Sequence, residues 1–228
     1  MLQTNRIIKN NRIIYDVYNF LRNGFWKKGL DVEVGERTRI EGIKVKGKGK
    51  ENKIYIGKNV RICNCQIVIT GNNNIVHIED GCSLRGTGFY IEDNDNVIDM
   101  GEGTTTTNAV DICAIEGTKI SIGKDCMISS NIYISTGDGH TVCDTECRLR
   151  TNLSQNIEIE DHVWIGTRVI IGKGCQIGKN SIVAAGSVCT SGFLGEKQEN
   201  VIIGGNPARI VKGDINWMRE RIIKQDMQ

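Results

Sequence analysis

The chain has 228 residues, a net charge of +2 and 39% hydrophobic content. That balance suits a soluble globular protein and excludes a disordered one, and the near-neutral charge creates no demand for a nucleic-acid partner. Isoleucine occurs 35 times against 7 leucines, which argues against a helix bundle because β-branched side chains suit pleated surfaces.

Glycine is frequent at 27 and proline single, so many tight turns are made without proline. No long apolar run predicts a transmembrane span, and the first residues, MLQTNRIIKNNRIIYDVYNF, lack the apolar stretch of a signal peptide. Nine scattered cysteines, an odd number without metal-type spacing, predict a reduced, cytoplasmic protein.

Residues 4–22 place Ile7, Ile8, Ile14, Tyr18 and Leu21 at helical spacing, within an N-terminal helical segment over 1–30. Lys44, Lys46, Lys48 and Lys50 alternate, which puts them on one face of a strand. A solvated, aggregation-resistant edge explains them better than a track for an anionic polymer. A six-residue repeat starts weakly at Ile56-Gly57, with Val60 and Ile62, and breaks into fragments over 70–118.

The repeat resumes at Ile122, Ile128 and Ile134, is lost after His140, and returns as Ile159, Ile165, Ile171, Ile177, Val183 and Cys189. Small or β-branched Val163, Val169, Cys175, Ser181 and Ser187 follow four residues behind. Six is neither a helix nor a hairpin period. It fits a coil of short parallel strands bending every six residues, each coil burying its face against its neighbours. The coil is expected over 31–212, with an excursion loop at 141–156. A C-terminal helix is expected within 213–228, with Asp214 as N-cap and Ile215, Met218 and Ile222 on one face. Both end helices would cap open coils.

His140 occupies an aliphatic slot of the repeat where the excursion begins. A polar ring at an apolar register position, beside a loop, marks a candidate site. Imidazole titrates near neutrality, so it can take a proton from a weak hydroxyl nucleophile. His77, between apolar neighbours, reads as a solvated strand residue, and His162 as an exposed turn residue.

Asp138 and Asp144 are near enough to orient His140, or to do no more than stabilise turns. Cys143 and Cys147 allow a metal or covalent reading that no further ligand supports.

The hexads, the segment IEIEDHVWIGTRVIIGKGCQIGKNSIVAAGSVCT and the later GGNPARIVK resemble the hexapeptide-repeat acyltransferases. Within that family they are most similar to the galactoside and maltose acetyltransferases and the capsular polysaccharide O-acetyltransferases. The resemblance covers about 40–213. It implies an all-β solenoid, a left-handed parallel β-helix, assembled as a homotrimer with acetyl-CoA between subunits and no required metal.

It also implies roles for single residues. His140, 24 residues before Trp164, matches the family's catalytic base. Trp164 would line the acetyl-CoA and acceptor channel, and Asn108 is the nearest candidate for the oxyanion donor. Gly166, Thr167, Ala185 and Thr190 would border the pantetheine arm, and Arg209 and Lys212 would face its nucleotide end.

Arg148 and Arg150 on the excursion are candidate ligands for a carboxylate on the acceptor. The expected activity is O-acetylation of a saccharide hydroxyl, with capsular or surface polysaccharide, acidic polymers among them, as acceptor. N-acetylation of an amino-sugar nucleotide, a non-catalytic β-helix scaffold and a zinc-dependent β-helix carbonic anhydrase remain alternatives. The last is poorly served by three histidines in all.

Overall fold

The computed structural model describes residues 12–24, 30–191 and 198–222. From Asp31 onward the chain winds around a three-sided prism whose faces are sheets of seven, nine and seven strands, parallel except for the antiparallel pair that ends the nine-stranded one. Face A starts with Asp31–Val34, face B with Arg39–Glu41 and face C with Lys44–Lys48, and the chain visits them in that order on every coil.

The coils come in two sizes. In the first part the pairing step is 22, as in Ile54 with Val76 and Val76 with Ile98, with one step of 23 on face C where Gly88 pairs with Asp111. After the excursion the step is 18, as in Trp164 with Ile182 and Ile170 with Val188. The step across the excursion is 37, as in Met127 with Trp164. Residues 70–118, which break the six-residue phase, therefore close as regular coils of a longer repeat.

Each face sends one column of side chains to the axis. On face B, Ile40, Ile62 and Leu84 lie in register, and further on Ile128, Ile165, Val183 and Ile203 do the same. All of these are buried. β-branched side chains stack well there because a parallel ladder puts like residues directly over one another.

The wide coils need something more at their corners. Asn52, Asn74 and Asn96 stack inside the corner between faces C and A. The Asn52 and Asn74 carboxamide oxygens each accept from the backbone N–H and the side-chain amide of the next asparagine. Thr118 ends the ladder, donating its N–H to Asn96. Buried backbone donors are thus satisfied where the chain turns.

The N-terminal helix, α1, runs Arg12–Asn23; the part of the sequence expectation before residue 12 lies outside the described residues. It caps the first coil with a different face from the one its apolar pattern marks. Asn19, buried, donates to the Thr38 carbonyl and accepts from the Ile40 N–H, and Asn23 bonds the Ile40 carbonyl and the Ile43 N–H. Ile14 and Leu21 are exposed. An open coil end presents unpaired backbone groups, so amides cap it where aliphatic side chains would leave those groups unsatisfied.

The expected C-terminal helix is absent from 213 through 222. After the hairpin of Ile202–Gly205 and Ala208–Lys212, the chain instead runs back as an extended strap along the corner between faces A and B. Ile215 pairs with Asn200, Trp217 with His162, and Arg219 reaches Asp125, Thr105 and the carbonyls of Gly103 and Cys126. The helical spacing of Ile215, Met218 and Ile222 loses to these side-chain and backbone partners.

Candidate active site at an edge and a loop

The excursion leaves face C after Ile132–Ser135 and rejoins face A at Ile157–Ile159. It is a closed loop with a short antiparallel contact between Cys143 and Arg150. Its base is tied by the Gln155 N–H on the Thr136 carbonyl.

The flanking coils grip it from both sides. In the coil before, Glu116 takes a two-pronged ion pair from Arg150 (2.5 and 3.0 Å) and hydrogen bonds from the Ser154 hydroxyl and N–H. The Arg150 fork and the Ser154 hydroxyl hold the Glu116 carboxyl far below the usual carboxylate range, at about 2. In the coil after, Lys173 donates to Asp138 and to the Asn152 carbonyl. That contact, helped by Asn152, lowers the Asp138 pKa.

Asn152 is the centre of the loop, and no sequence signal singles it out. It is buried, its amide donates to Asp138 and to the His140 carbonyl (2.7 Å), and its oxygen accepts from the Val142 N–H (2.8 Å). It therefore pins the backbone on both sides of Thr141, directly next to His140. Neither Asp138 nor Asp144 touches the His140 ring. Asp138 is taken by Lys173 and Asn152, and Asp144 caps the loop turn by accepting from the Arg148 N–H.

The three histidines differ in what surrounds them. His140 is exposed, and no described residue bonds to its ring. His77 stands outward on face A, 3.8 Å from Asp99, with Tyr55 edge-on.

His162, expected to be exposed, is instead enclosed. Its ring stacks on Trp217 with centroids 4.0 Å apart and planes 5° from parallel. Nδ1 faces Asp125 at 2.7 Å and Nε2 the Trp217 carbonyl at 2.9 Å. Both nitrogens face oxygen acceptors, so His162 has no nitrogen left to serve as a base toward a substrate. Partial burial works against the Asp125 carboxylate, but the His162 and Arg219 hydrogen bonds outweigh it and keep its pKa low.

Cys143 and the buried cysteines offer no activated nucleophile. The Cys143 thiol is pushed up by its hydrogen bond with Cys147, and burial pushes Cys82 up to about 12. A nucleophilic cysteine needs the opposite shift. Among the described residues no group of three His, Cys, Asp or Glu side chains is arranged to hold a metal.

The remaining candidates fall into two sets. Asn108, Thr167 and Ala185 lie along the corner between faces B and C, Thr167 and Ala185 on successive coils and Asn108 two coils before Thr167, and Gly166 begins that corner next to the face B strand. Thr167 bonds Ser130 in the coil below (2.8 Å), and the Gly186 N–H bonds the Thr167 carbonyl (2.9 Å). A Cβ on Gly166 would lie 2.7 Å from the Ala185 nitrogen, so only glycine lets these backbones approach.

Trp164 projects from the adjoining face B, 36% exposed, with its ring 6.1 Å from Trp217. Arg209 pairs in register with Gly204, at the far end of this edge, while Lys212 lies at the other end of the same strand beside Ile202.

His140, Arg148 and Arg150 belong to the other set, on the excursion at the corner between faces C and A. Thr190 joins them and leaves the Thr167 edge. It follows the face C strand Val188–Cys189, beside Gly172, and its buried hydroxyl has no partner among the described residues. Arg148 forms a solvated ion pair with Glu146 at 2.8 Å.

In a three-sided prism this corner lies across from face B. The chain therefore does not bring His140 to its own Trp164.

A family profile described as bacterial transferase hexapeptide (six repeats) matches residues 156–191. A polysialic acid O-acetyltransferase of Escherichia coli O1:K1 / APEC is 36% identical over 100 residues, 44% of this chain but only 31% of that relative. The crystal structure of the polysialic acid O-acetyltransferase OatWY is 30% identical with a TM-score of 0.71, covering 86% of this chain and 94% of that one. The polySia-specific acetyltransferase NeuO is 26% identical with a TM-score of 0.64, over 80% of this chain and 85% of that one.

Proposed function

Because the chain belongs to the hexapeptide-repeat acyltransferase family, we propose that it moves an acetyl group from acetyl-CoA to a saccharide hydroxyl, with an acidic polysaccharide as acceptor. His140 is the general base. A sugar hydroxyl is hardly ionised at neutral pH, and the open His140 ring takes its proton as the oxygen attacks the thioester carbonyl. The same imidazolium then protonates the leaving thiolate. Donors along the edge that holds Asn108 and Thr167 are placed for the oxygen that becomes negative during attack.

The observation that carries this reading is the contrast among the histidines. Only His140 presents a ring that no described residue engages, and it does so on a loop tied to the coils before and after it. Small residues at Gly166 and Ala185 leave the neighbouring edge open to an extended pantetheine arm, with Arg209 at the far end for a phosphate. Arg150 serves the loop rather than the acceptor, because its fork is spent on Glu116. Arg148 remains the arginine of the two that extends into solvent.

Since His140 and Trp164 lie on opposite sides of the prism, the complete site forms between copies, in a homotrimer. Exposed Tyr133 and Ile170, in register on face C between the two half-sites, give such copies an apolar contact.

Release of free CoA thiol from acetyl-CoA, with oligosialic acid and with a neutral glucan, tests the reaction. His140→Ala is expected to lose about 10²–10⁴-fold of the acceptor-dependent rate. Mixing and reassembling inactive His140→Ala and Trp164→Ala chains is expected to restore activity, since some sites then combine an intact half from each. A site contained in one chain gives no recovery, and acetyl-CoA turnover unaffected by His140→Ala removes the base.

A further inference from the structure

The wide coils carry an outer surface that the reaction does not use. On face C, Lys44, Gln66, Gly88 and Asp111 stand in one register column across four successive strands. Beside Gly88 the Tyr90 ring lies down over the sheet, and its hydroxyl bonds the Gln66 amide. A Cβ at position 88 would lie 2.5 Å from the Tyr90 ring and 2.9 Å from the Asp111 carboxylate. The glycine therefore lets the tyrosine lie down over the sheet, and together these residues line a hollow of about 340 Å³. A glycine inside a strand costs stability, and here the close approach it permits is that of the Tyr90 ring, which forms the apolar floor of the hollow.

The chemistry of the hollow is graded. Lys44 supplies a cation at one end, Gln66 and Tyr90 supply neutral hydrogen-bonding groups in the middle, and Asp111 supplies an acceptor for hydroxyl groups at the other end. Lys46 and Lys48 continue outward from Lys44 on the same exposed face. None of the three lysines has an ion-pair partner among the described residues. The one strand beside them presents Gln66, Val68 and Thr70, and the acids of this face, Glu92 and Asp111, lie further along the sheet.

A ligand that matches has a carboxylate at one end, several hydroxyls at the other and an apolar ring face for Tyr90. That is an acidic sugar, and the volume lies in the range of small-molecule sites. The hollow also borders the reaction edge. Gly86 in its wall lies against Asn108, and Gly88 is three strand steps, about 14 Å, from Ile170 next to Thr167.

We propose that the hollow at Gly88 and the row Lys44, Lys46 and Lys48 form a second saccharide site, which holds an anionic sugar of the acceptor polymer while a distant residue of that polymer is acetylated. The site rests on the acceptor reading above, and it gives the lysine row a use beyond protecting a sheet edge.

The test uses full-length protein, oligosialic acid long enough to span the face, and neutral dextran as control. The variants are Gly88→Val, which fills the hollow, and Lys44→Glu with Lys46→Glu. Expected are about tenfold weaker binding of oligosialic acid and a matching rise in acceptor KM. The acetyl-CoA KM, kcat with a short acceptor and molecular mass stay as in wild type, and so does Tm for the lysine pair, whereas Gly88→Val must push the Tyr90 ring aside and lowers Tm. Dextran binding stays absent throughout.

Variants that bind the acidic polymer as tightly as wild type overturn the site while leaving the acetyl transfer intact. A change in molecular mass assigns the surface to contact between copies and also overturns it. A wild-type protein that acetylates no anionic saccharide fails the acceptor reading itself, a different result from either.

Discussion

The wide coils and the narrow coils solve the same packing problem with different means. In the narrow part, strands are two residues long, as in Trp164–Ile165 and Ile170–Ile171, and hexads place one aliphatic per face on the axis. In the wide part, strands reach four or five residues, as in Lys53–Ile56 and Gln66–Thr70. The longer perimeter leaves a roomier corner between faces C and A, which the asparagine ladder fills.

The narrow coils are held mainly by apolar stacking. The wide coils add a polar spine in which each member satisfies the next. The excursion with His140 sits where one regime gives way to the other, and the strap through Trp217 and Arg219 crosses that junction on another corner.

The contrast can be broken from either side. Ile165→Ala in a narrow coil removes a fully buried side chain and is expected to cost about 2–5 kcal/mol, read as a fall in the denaturant midpoint. Asn74→Ala in a wide coil strands the buried Asn96 N–H and takes the amide donor from the Asp93 carbonyl, while the residue 74 N–H still reaches the Asn52 oxygen. At about 1–3 kcal/mol per orphaned group it should approach the isoleucine change. An Asn74→Ala protein as stable as wild type would show that the ladder is incidental.

The junction itself is sharpened by Asn152. Asn152→Ala frees the backbone beside His140 and is expected to lower kcat about tenfold or more, with acetyl-CoA KM changed little. Asn152→Asp keeps the acceptor for Val142 but loses the amide donor, so it should recover only part of the rate. Equal losses in KM and kcat would mark a general loosening instead.

The smallest effect is a pH dependence confined to the loop. The Glu116 carboxyl titrates at about 2 in the fold against about 4.3 when unfolded. Because the folded value is depressed, its stabilisation is fully present above about pH 4.3 and is lost as pH falls toward 2. Protease cleavage within 141–155 is expected to accelerate as pH drops through that window, with Glu116→Gln showing fast cleavage at every pH. Among the described residues the core of the narrow coils carries no comparable ion pair, and it should stay protected over the same range.

Much of this was legible in the chain. The hexads from Ile159 to Cys189 announced the narrow coils, because a parallel ladder repeats its inward residue at a fixed step. The wide coils were harder to read, since their step of 22 is not a multiple of six and their spine is asparagine, a residue that sequence patterns assign to turns. His140 was visible as a polar intruder in an apolar slot. Asn152 was not, because its role consists of bonds to backbone groups that only the folded loop brings near.

The sequence by itself determined the narrow coils of the solenoid and the position of the excursion, both from local periodicity and its loss. Tertiary structure alone decided which face of α1 caps the prism, that residues 213–222 run as a strap, that His162 is enclosed, and that Arg150 is bound to Glu116. The physical reason is common to all of them. Each outcome depends on satisfying a polar group of a distant coil, and the spacing of residues along the chain carries no record of which carbonyl, carboxylate or amide will stand opposite once the coils have stacked.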